Sequence, residues 1–383
     1  MSFKDLTLPD NLINALRKQN ITDPTDIQKK SFKPISEKKD FIGISSTGSG
    51  KTLAYLLPVI TDIKADNELQ KLIIVPTQEL AVQINKQIEL LIKNAALTLK
   101  SLFVIGEGNI HRQIDSLKLK PTIVVGTPSR ILQLIKMKKL HVHNVNTVIL
   151  DEYDKLLEKS YYDSIISIRK SLMKYIQIIM FSASSDKKSE TKALSFINNP
   201  DNKPVIVNIS NSNDKSLIPA TIKHMYIITD RRERIETLRK IVKAVKPEKA
   251  IIFINTRYDL EESLQKLLYH KYNIASIAGN YTSIQKKNAI ENFRKGKINY
   301  LLATDIAARG LQIDNVDTVI NVNLPEEAKE YLHRSGRCGR NGSKGVCISI
   351  ITENEMNKIK KYRKDFNINF IQRKLYNGKL VAK

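Results

Sequence analysis

The sequence predicts an α/β fold of two domains, each a mostly parallel sheet flanked by helices, joined by a short linker. Its 383 residues exceed the usual size of one hydrophobic core, so two domains of about 150 to 200 residues are expected. Short apolar runs alternate with longer segments of helical period, which is typical of βα units around parallel strands. We therefore place a first domain at residues 1–208, a polar linker at 209–217 and a second domain at 218–383.

Each apolar run is a predicted strand, and the runs form one series in each half. The first series lies at residues 41–45, 71–75, 122–126, 147–151 and 176–182, and the second at 224–229, 250–255, 274–278, 299–304, 317–322 and 345–351. The segments between them have helical spacing. One helix is predicted over residues 79–93, whose apolar stripe consists of Leu80, Ile84, Ile88, Leu91 and Ile92.

The composition favours a polyanionic partner inside the cell. Lys and Arg number 63 against 39 Asp and Glu, a formal charge of +24, and nucleic acid is the first candidate. The alternative is a lysine-rich composition without functional meaning.

Cys338 and Cys347 have no zinc or disulfide spacing, which fits a reducing compartment. No run reaches the length of about 18 apolar residues that a membrane span needs, and the N-terminus lacks a signal pattern. We therefore expect a soluble, cytoplasmic monomer.

Residues 45–52, SSTGSGKT, have the context of a phosphate-binding loop, between a predicted strand and a predicted helix. Small residues let backbone N–H groups turn toward phosphate oxygens, and the helix N-terminus adds the positive end of its dipole. Ser45 replaces the glycine of the strict pattern, which such a turn tolerates. The lysine supplies charge and the last hydroxyl can ligate Mg²⁺. The predicted nucleotide-binding residues of this loop are Thr47, Gly48, Ser49, Gly50, Lys51 and Thr52.

Two carboxylates, Asp151 and Glu152, end a predicted strand at the sheet edge where α/β proteins bind ligands. Asp151 can hold a Mg²⁺ ion that bridges phosphates, and Glu152 can orient and deprotonate an attacking water. The alternative is a solvated helix N-terminus enriched in acids. The upstream phosphate loop favours the catalytic interpretation.

Three arginines, Arg334, Arg337 and Arg340, are spaced by three residues in a glycine-containing segment of the second half. We expect such a cluster to lie outside the core. Arginine binds phosphate bidentately, and one delivered to a γ-phosphate from another domain is worth about 10³ to 10⁵ in rate. The alternatives are a solvated basic turn and a turn that binds RNA phosphates.

With these segments in hand, the chain resembles the DEAD-box RNA helicases, superfamily 2 motors of two RecA-like domains. DPTDIQ at 23–28 resembles the family's Q motif. The resemblance implies that Gln28 reads adenine and that Phe3 stacks near the base. ATP and Mg²⁺ are therefore the expected cofactors.

Further segments resemble the family's remaining motifs. They are PTQELA (76–81) and TPSR (127–130) for RNA contact, SAS (182–184) for coupling, and IIFINTR (251–257), ATDIAARGLQI (303–313) and HRSGRCGR (333–340) for motifs IV, V and VI. The RNA-binding residues so implied are Pro76, Gln78, Gly106, Thr127, Pro128, Arg130, Arg257, Gly279 and Thr304. Gly310 is implied to contact the nucleotide. The catalytic residues are Lys51, Glu152, Arg337 and Arg340, the last two at the γ-phosphate. The coupling residues are Asp154, Ser182, Ser184, Asp305 and His333.

Several positions depart from the family pattern. Tyr153 replaces an alanine, and we expect its bulk to lie near the cleft between the domains. Gln78 stands where an RNA-contacting arginine is usual, and Gln312 where an aspartate usually binds the ribose. Ser283 and Lys286 replace a glutamine and an arginine. These departures suggest weaker RNA binding or slower turnover.

The resemblance implies an enzyme that hydrolyses ATP in an RNA-stimulated manner to unwind short RNA duplexes or remodel RNA–protein complexes. Its contacts would be to the RNA backbone, with little sequence specificity. One alternative is a slow-turnover, ATP-gated RNA clamp or assembly scaffold. Another is a DNA-translocating helicase of the same superfamily.

Overall fold

The chain forms two compact units, Met1–Ser210 and Asn211–Lys383, in a computed structural model. The described residues are 2–45, 48–64, 68–183, 187–197, 203–209, 221–278, 281–308, 313, 316–339 and 343–382. Of the predicted linker, only residue 209 is among them. Within this part of the chain, no helix combines the length and the apolar character that a membrane span needs.

The first unit is built on a seven-stranded, all-parallel sheet in the order β3-β4-β2-β5-β6-β1-β7. Five of its strands are buried along their whole length, as expected when helices cover both faces. The strands are β1 (Phe41–Ile44), β2 (Lys71–Ile74), β3 (Ser101–Val104), β4 (Ile123–Gly126), β5 (Thr147–Asp151), β6 (Gln177–Ser182) and β7 (Val205–Asn208).

Helices cover both faces of this sheet and form an apolar cluster with each face. The helix predicted over 79–93 is α4, and Leu80, Ile84, Ile88 and Leu91 are buried along its inner face. The helices of the unit are α1 (Asp10–Arg17), α2 (Asp26–Ser36), α3 (Lys51–Thr61), α4 (Gln78–Asn94), α5 (Ile110–Leu117), α6 (Pro128–Lys136), α7 (Tyr153–Leu156), α8 (Lys159–Ser171) and α9 (Lys187–Ile197).

The second unit contains an eight-stranded sheet in the order β10-β11-β9-β12-β13-β8-β14-β15. All neighbouring strands are parallel except the last pair, which is antiparallel. The strands are β8 (Ile222–Ile228), β9 (Ala250–Phe253), β10 (Ile274–Ser276), β11 (Tyr300–Ala303), β12 (Thr318–Asn321), β13 (Gly345–Ile351), β14 (Phe370–Tyr376) and β15 (Lys379–Ala382).

The helices of the second unit pack two apolar clusters against its sheet. They are α10 (Arg234–Val245), α11 (Arg257–Tyr269), α12 (Ser283–Arg294), α13 (Asp305–Ala308), α14 (Ala328–Ser335) and α15 (Met356–Phe366). The mostly parallel sheets flanked by helices confirm the predicted fold class. All eleven predicted strands are present, whereas β3, β7, β14 and β15 were not predicted.

Candidate nucleotide and RNA site

The predicted site residues of the first unit meet at one edge of its sheet. Because the strands are parallel, their carboxyl ends share this edge, which we call the carboxyl edge. The phosphate loop follows β1, the carboxylates end β5, and Ser182 ends β6, three strands that are neighbours in the order β5-β6-β1. The predicted RNA-binding segments follow β2, β3 and β4, which are neighbours on the other side of β5. The residues predicted to bind nucleotide and those predicted to bind RNA therefore occupy adjacent halves of one edge.

The phosphate loop is held by its own side chains and by β6. Gly48 and Gly50 have φ angles of 79° and 89°, a left-handed conformation that favours glycine, and α3 begins directly after Gly50. Lys51 Nζ donates to the carbonyl oxygen of Ser45 at 2.7 Å. The Ser45 N–H in turn donates to the Ser182 carbonyl at 3.1 Å. A phosphate that binds in this loop would therefore replace the Ser45 carbonyl as a hydrogen-bond acceptor of Lys51 Nζ.

Gln28 joins the Q-motif segment to the phosphate loop. Its Oε1 accepts from the Thr25 N–H at 2.9 Å, which completes a capping box at the start of α2. Its Nε2 donates to the Gly50 carbonyl at 3.1 Å. With 3% exposure, Gln28 has both ends of its amide engaged, so its predicted contact with adenine stays a prediction.

Asp151 is a buried carboxylate whose neighbours are suited to a metal ion. Its Oδ2 accepts from the Tyr55 hydroxyl at 2.9 Å, and its Oδ1 accepts from the Glu152 N–H at 3.0 Å. The Thr52 side chain acts to lower the pKa of the same Tyr55 hydroxyl, against the larger effect of burial. Burial, and then the charge of Glu152, raise the pKa of Asp151 to about 6, against the opposing charge of Lys51. A cation beside Asp151 would favour its charged form.

Glu152 has a strained backbone and a paired side chain. Its φ of 56° is uncommon for a residue with a side chain, and it directs the Glu152 carbonyl to accept from Lys155 N and Leu156 N at the start of α7. Lys155, 5% exposed, donates from Nζ to Glu152 Oε2 at 3.1 Å. Sequence reasoning missed this ion pair, although a lysine three residues after an acid at a helix start is a usable signal.

Tyr153 is fully buried in the apolar cluster between the sheet and α6, α8 and α9. Its bulk therefore packs inside the first unit, and its expected position near a cleft between the domains stays a prediction. The left-handed turn at Glu152 starts α7 so that its first residue points into this cluster. Asp154, the predicted coupling residue, is 7% exposed on the same short helix.

The half of the edge that is predicted to bind RNA, which we call the RNA half, contains a loop at residues 105–108 held by three helices. Arg130 donates from its two Nη atoms to the carbonyls of Gly106 at 2.6 Å and Gly108 at 3.2 Å. Gln78 Oε1 accepts from the Glu107 N–H at 3.1 Å, and Gln113 bonds both polar backbone atoms of Ile105. Arg130 is 7% exposed. Its observed contacts shape the loop, and direct binding of RNA by Arg130 or Gln78 stays a prediction.

Other predicted residues of the first unit are placed as follows. Thr127 and Pro128 are buried at the start of α6, and the Pro76 carbonyl accepts from the Tyr161 hydroxyl at 3.2 Å. Phe3 is 2% exposed within the apolar core, so its predicted contact with a base also stays a prediction.

Arg334 is the centre of the second unit's site, and it corrects the expectation that this arginine cluster lies outside the core. It is 1% exposed and is stacked 5.0 Å from the ring centre of Phe253. It forms a bidentate pair with Asp305 at 2.5 and 2.6 Å. Its Nη atoms also donate to Asn255 Oδ1 at 2.6 Å and to the Asn323 carbonyl at 2.7 Å. The predicted motifs IV, V and VI therefore meet on one guanidinium.

The remaining motif residues of this unit lie close in sequence to Arg334 or to its partner Asp305. Thr304 and Asp305 follow β11, and the Thr304 hydroxyl accepts from the Ala307 N–H at 3.4 Å. His333 is 8% exposed, and its Nδ1 lies 3.5 Å from Glu330 Oε1. Arg337 is partly exposed just after α14. Predicted residues outside the described part of the chain are Thr47, Ser184, Gly279, Gly310, Gln312 and Arg340, together with the side chain of Arg257.

These features define a P-loop nucleotide-binding protein with two units, each built on a mostly parallel sheet. Comparison with known sequences agrees. Residues 25–192 match the family model described as DEAD/DEAH box helicase, and residues 233–342 match the helicase conserved C-terminal domain. A solved structure of S. cerevisiae Dbp5 bound to RNA and ADP BeF3 has the same fold, with a TM-score of 0.86 at 24% identity, over 97% of this chain and 95% of that chain.

Curated relatives match over almost their whole length. The DEAD-box ATP-dependent RNA helicase CshC of Bacillus cereus is 36% identical over 371 residues, 97% of this chain and 92% of that protein. The probable ATP-dependent RNA helicase YfmL of Bacillus subtilis is 34% identical over 361 residues, 94% of this chain and 93% of that protein. The chain belongs to the DEAD-box family of ATP-dependent RNA helicases, and its units are RecA-like.

Proposed function

We propose that this protein hydrolyses ATP in an RNA-stimulated manner and uses the reaction to unwind short RNA duplexes or to remodel RNA–protein complexes. One observation carries the proposal: the phosphate loop, the carboxylate pair and the RNA-side loop lie on neighbouring strands of one sheet edge. The names of the relatives support it.

The first unit supplies the groups that hydrolysis needs. Lys51 leaves the Ser45 carbonyl to bind phosphate oxygens, and Glu152 orients a water and takes its proton. Thr52 and Asp151 would hold Mg²⁺, which supplies positive charge to the phosphates. The donor set fits this ion, because both ligands offer oxygen, which Mg²⁺ prefers, and the Tyr55 hydroxyl orients the Asp151 carboxylate.

The second unit supplies arginines and part of the RNA surface. Arg337 and Arg340 are assigned to the γ-phosphate, where they stabilise charge in the transition state. Thr304, Arg257 and Gly279 are assigned to the RNA backbone, and His333, Asp154, Ser182 and Ser184 to coupling. The protein acts as a cytoplasmic monomer with little preference for base sequence.

Steady-state phosphate release with and without single-stranded RNA tests the proposal. We expect RNA to stimulate the wild type, Lys51→Ala to bind ATP poorly, and Glu152→Gln to bind ATP while retaining RNA in a stalled complex. Arg337→Ala should lower turnover more than RNA affinity. Lys170→Ala, on the exposed side of α8, is the matched control.

Two outcomes would overturn parts of this assignment. Wild-type hydrolysis by Glu152→Gln would remove that residue from its role. Absence of RNA stimulation at saturating ATP would favour the slow-turnover clamp. Competition by DNA of equal length separates an RNA helicase from a DNA translocase, because only RNA offers 2′-hydroxyl groups.

A further inference from the structure

A long acid-free segment of the first unit has a concentration of basic residues that the site above does not explain. Residues 116–150 contain no Asp or Glu, whereas they contain Lys118, Lys120, Arg130, Lys136, Lys138, Lys139, His141 and His143. Much of this segment is the buried strands β4 and β5 and the inner face of α6. Its exposed charge is therefore concentrated where the helices end, at the amino ends of the strands.

The exposed cations at this edge form one surface. Helices α5 and α6 both end there, and Lys120 and Lys138 have the left-handed φ angles of 50° and 54° with which the chain turns away. Lys100 Nζ donates to the Leu119 carbonyl at 3.2 Å, which places a further cation beside them. We call this set the amino-edge basic surface: Lys100, Lys120, Lys138, Lys139, His141 and His143, all exposed. Lys118 is excluded because it pairs with Asp115 at 2.8 Å.

A pocket of about 180 Å³ opens within the surface. Leu69, Leu117, Val124 and Leu140 give it apolar walls, and Lys120, Lys139, His141 and His143 also line it. The two imidazoles are nearly perpendicular, with ring centres 6.2 Å apart. The carboxylate in the lining, Glu68, hydrogen-bonds to Asn144. An apolar pocket bordered by lysines and imidazole rings fits the base of a nucleotide whose phosphates lie outside the pocket.

The surface is connected to the RNA half of the carboxyl edge by two helices. Helix α5 begins at Ile110, just after the loop at 105–108, and α6 begins at Pro128. Each runs to the amino-edge basic surface in eight or nine residues. At 1.5 Å per residue, the two edges are about 12 to 14 Å apart along these helices. A strand that leaves the RNA-side loop has only this distance to cover.

We propose that the amino-edge basic surface is a second RNA-binding surface, which takes the strand that flanks the segment bound at the carboxyl edge. The lysines bind its phosphates, and the pocket takes one unpaired base. This inference rests on the proposed function, since it needs RNA at the carboxyl edge. Phosphate is the ligand that complements a surface with this excess of lysine.

The experiment compares two RNAs and two triple variants by fluorescence anisotropy over a salt series. One RNA is the shortest single strand that still stimulates phosphate release, and the other adds single-stranded flanks to it. The surface variant carries Lys120→Gln, Lys138→Gln and Lys139→Gln. The control carries Lys18→Gln, Lys86→Gln and Lys93→Gln, exposed positions on α4 and at the end of α1, which pack on the opposite face of the sheet.

We expect the surface variant to bind the flanked RNA about 10-fold more weakly than the control at low salt, with a log–log salt slope shallower by about 2. Both variants should bind the short RNA alike and keep its stimulation of phosphate release. Equal affinity of the two variants for the flanked RNA at every salt concentration would overturn the inference. If no single-stranded RNA of any length stimulates phosphate release by the wild type, the proposed function fails instead.

A second pair of measurements tests the base pocket. In His141→Ala/His143→Ala, we expect the wild-type preference for a normal flank over an abasic flank to be lost. An unchanged preference would remove the pocket from the proposal.

A protein partner would give a different result. Both triple variants would then bind flanked RNA alike, and only the surface variant would lose a protein that co-purifies with the wild type. In that case the surface binds protein and the RNA assignment is wrong.

Discussion

At the scale of single residues, the hydroxyl of Tyr55 is the least expected part of the nucleotide site. Burial, followed by the nearby charge of Asp151, raises the pKa of Tyr55 well above its ordinary value, so the hydroxyl stays protonated and donates. Its ring packs 5.5 Å from the ring centre of Phe181, which fixes its position. The hydrogen bond therefore sets the orientation of the Asp151 carboxylate.

Tyr55→Phe keeps the ring and removes only this hydrogen bond. We expect the Mg²⁺ concentration at half-maximal phosphate release to rise about 10-fold, because groups that orient a metal ligand have effects of this size. A Mg²⁺ titration of RNA-stimulated turnover measures it. The control is Tyr362→Phe, which loses a buried hydrogen bond to the Pro325 carbonyl in the second unit. An equal rise in both variants would show a general loss of stability.

His224 gives the second unit a stability that depends on pH. Burial lowers the pKa of His224 to about 4, and its Nδ1 lies 2.8 Å from the Tyr331 hydroxyl. Since the unfolded chain binds a proton at higher pH than the folded unit does, stability is lost as pH falls from about 6.5 toward 4.

Between pH 7 and pH 5 we expect this residue to remove about 2 kcal/mol from the free energy of unfolding. Urea denaturation followed by circular dichroism measures the loss. His224→Gln is uncharged at both pH 7 and pH 5. Its free energy of unfolding should therefore fall by about 2 kcal/mol less than that of the wild type between these pH values. A variant with the same pH dependence as the wild type would contradict the assignment.

At the scale of elements, the Arg334 network ties the ends of β9, β11 and β12 to α14. Asp305 follows β11, Asn255 follows β9, and Asn321 ends β12 and accepts from Arg334 at 3.2 Å. A guanidinium suits this position because its planar fork reaches several acceptors at once.

Arg334→Gln would leave Asp305 beside the core without its counter-charge. We expect the second unit to lose about 3 to 5 kcal/mol, the usual effect of removing one partner of a buried ion pair. Thermal and urea unfolding measure it. Arg337→Gln, at a partly exposed position, should change stability by about 0.5 kcal/mol or less. Similar losses in the two variants would mean that Arg334 adds no more to stability than a surface arginine.

The sequence analysis predicted the strands that are mostly buried and missed four strands whose residues are mostly exposed or partly exposed. The buried parallel strands, such as β5, read as continuous apolar segments. Strand β3 is partly exposed along three of its four residues, and β14 is rich in Arg, Lys and Gln. The Asn377–Gly378 pair has φ angles of 46° and 72° and is a hairpin signal from which β14 and β15 could have been predicted.

The same division holds for the site. Lys51 and Asp151 were predictable because the phosphate loop before Lys51 follows β1, Asp151 ends β5, and parallel strands share an edge. The contacts of Tyr55, Lys155 and Arg130 were not, because they depend on how helices pack after the chain folds. Arg334 is buried because the segments at the ends of β9, β11 and β12 meet around it. The spacing of residues along the chain does not predict that meeting.

At the scale of the whole molecule, the charge of +24 should govern RNA affinity. Lysine and arginine that bind phosphates release counterions, so affinity falls with salt. We expect the wild type to lose about 10-fold or more in affinity between 50 and 200 mM salt. Anisotropy with a labelled RNA measures this. Affinity that is independent of salt would contradict binding through the phosphate backbone.

The burial of Arg334 also has a practical use for chemical labelling. An arginine-selective dicarbonyl reagent needs access to the guanidinium, and the two arginines only three positions apart differ in that access. Mass spectrometry of the folded protein should find the adduct on Arg337 and leave Arg334 unmodified. Arg337 can therefore be labelled without any substitution in the chain. An adduct that appears on Arg334 would report unfolding of the second unit.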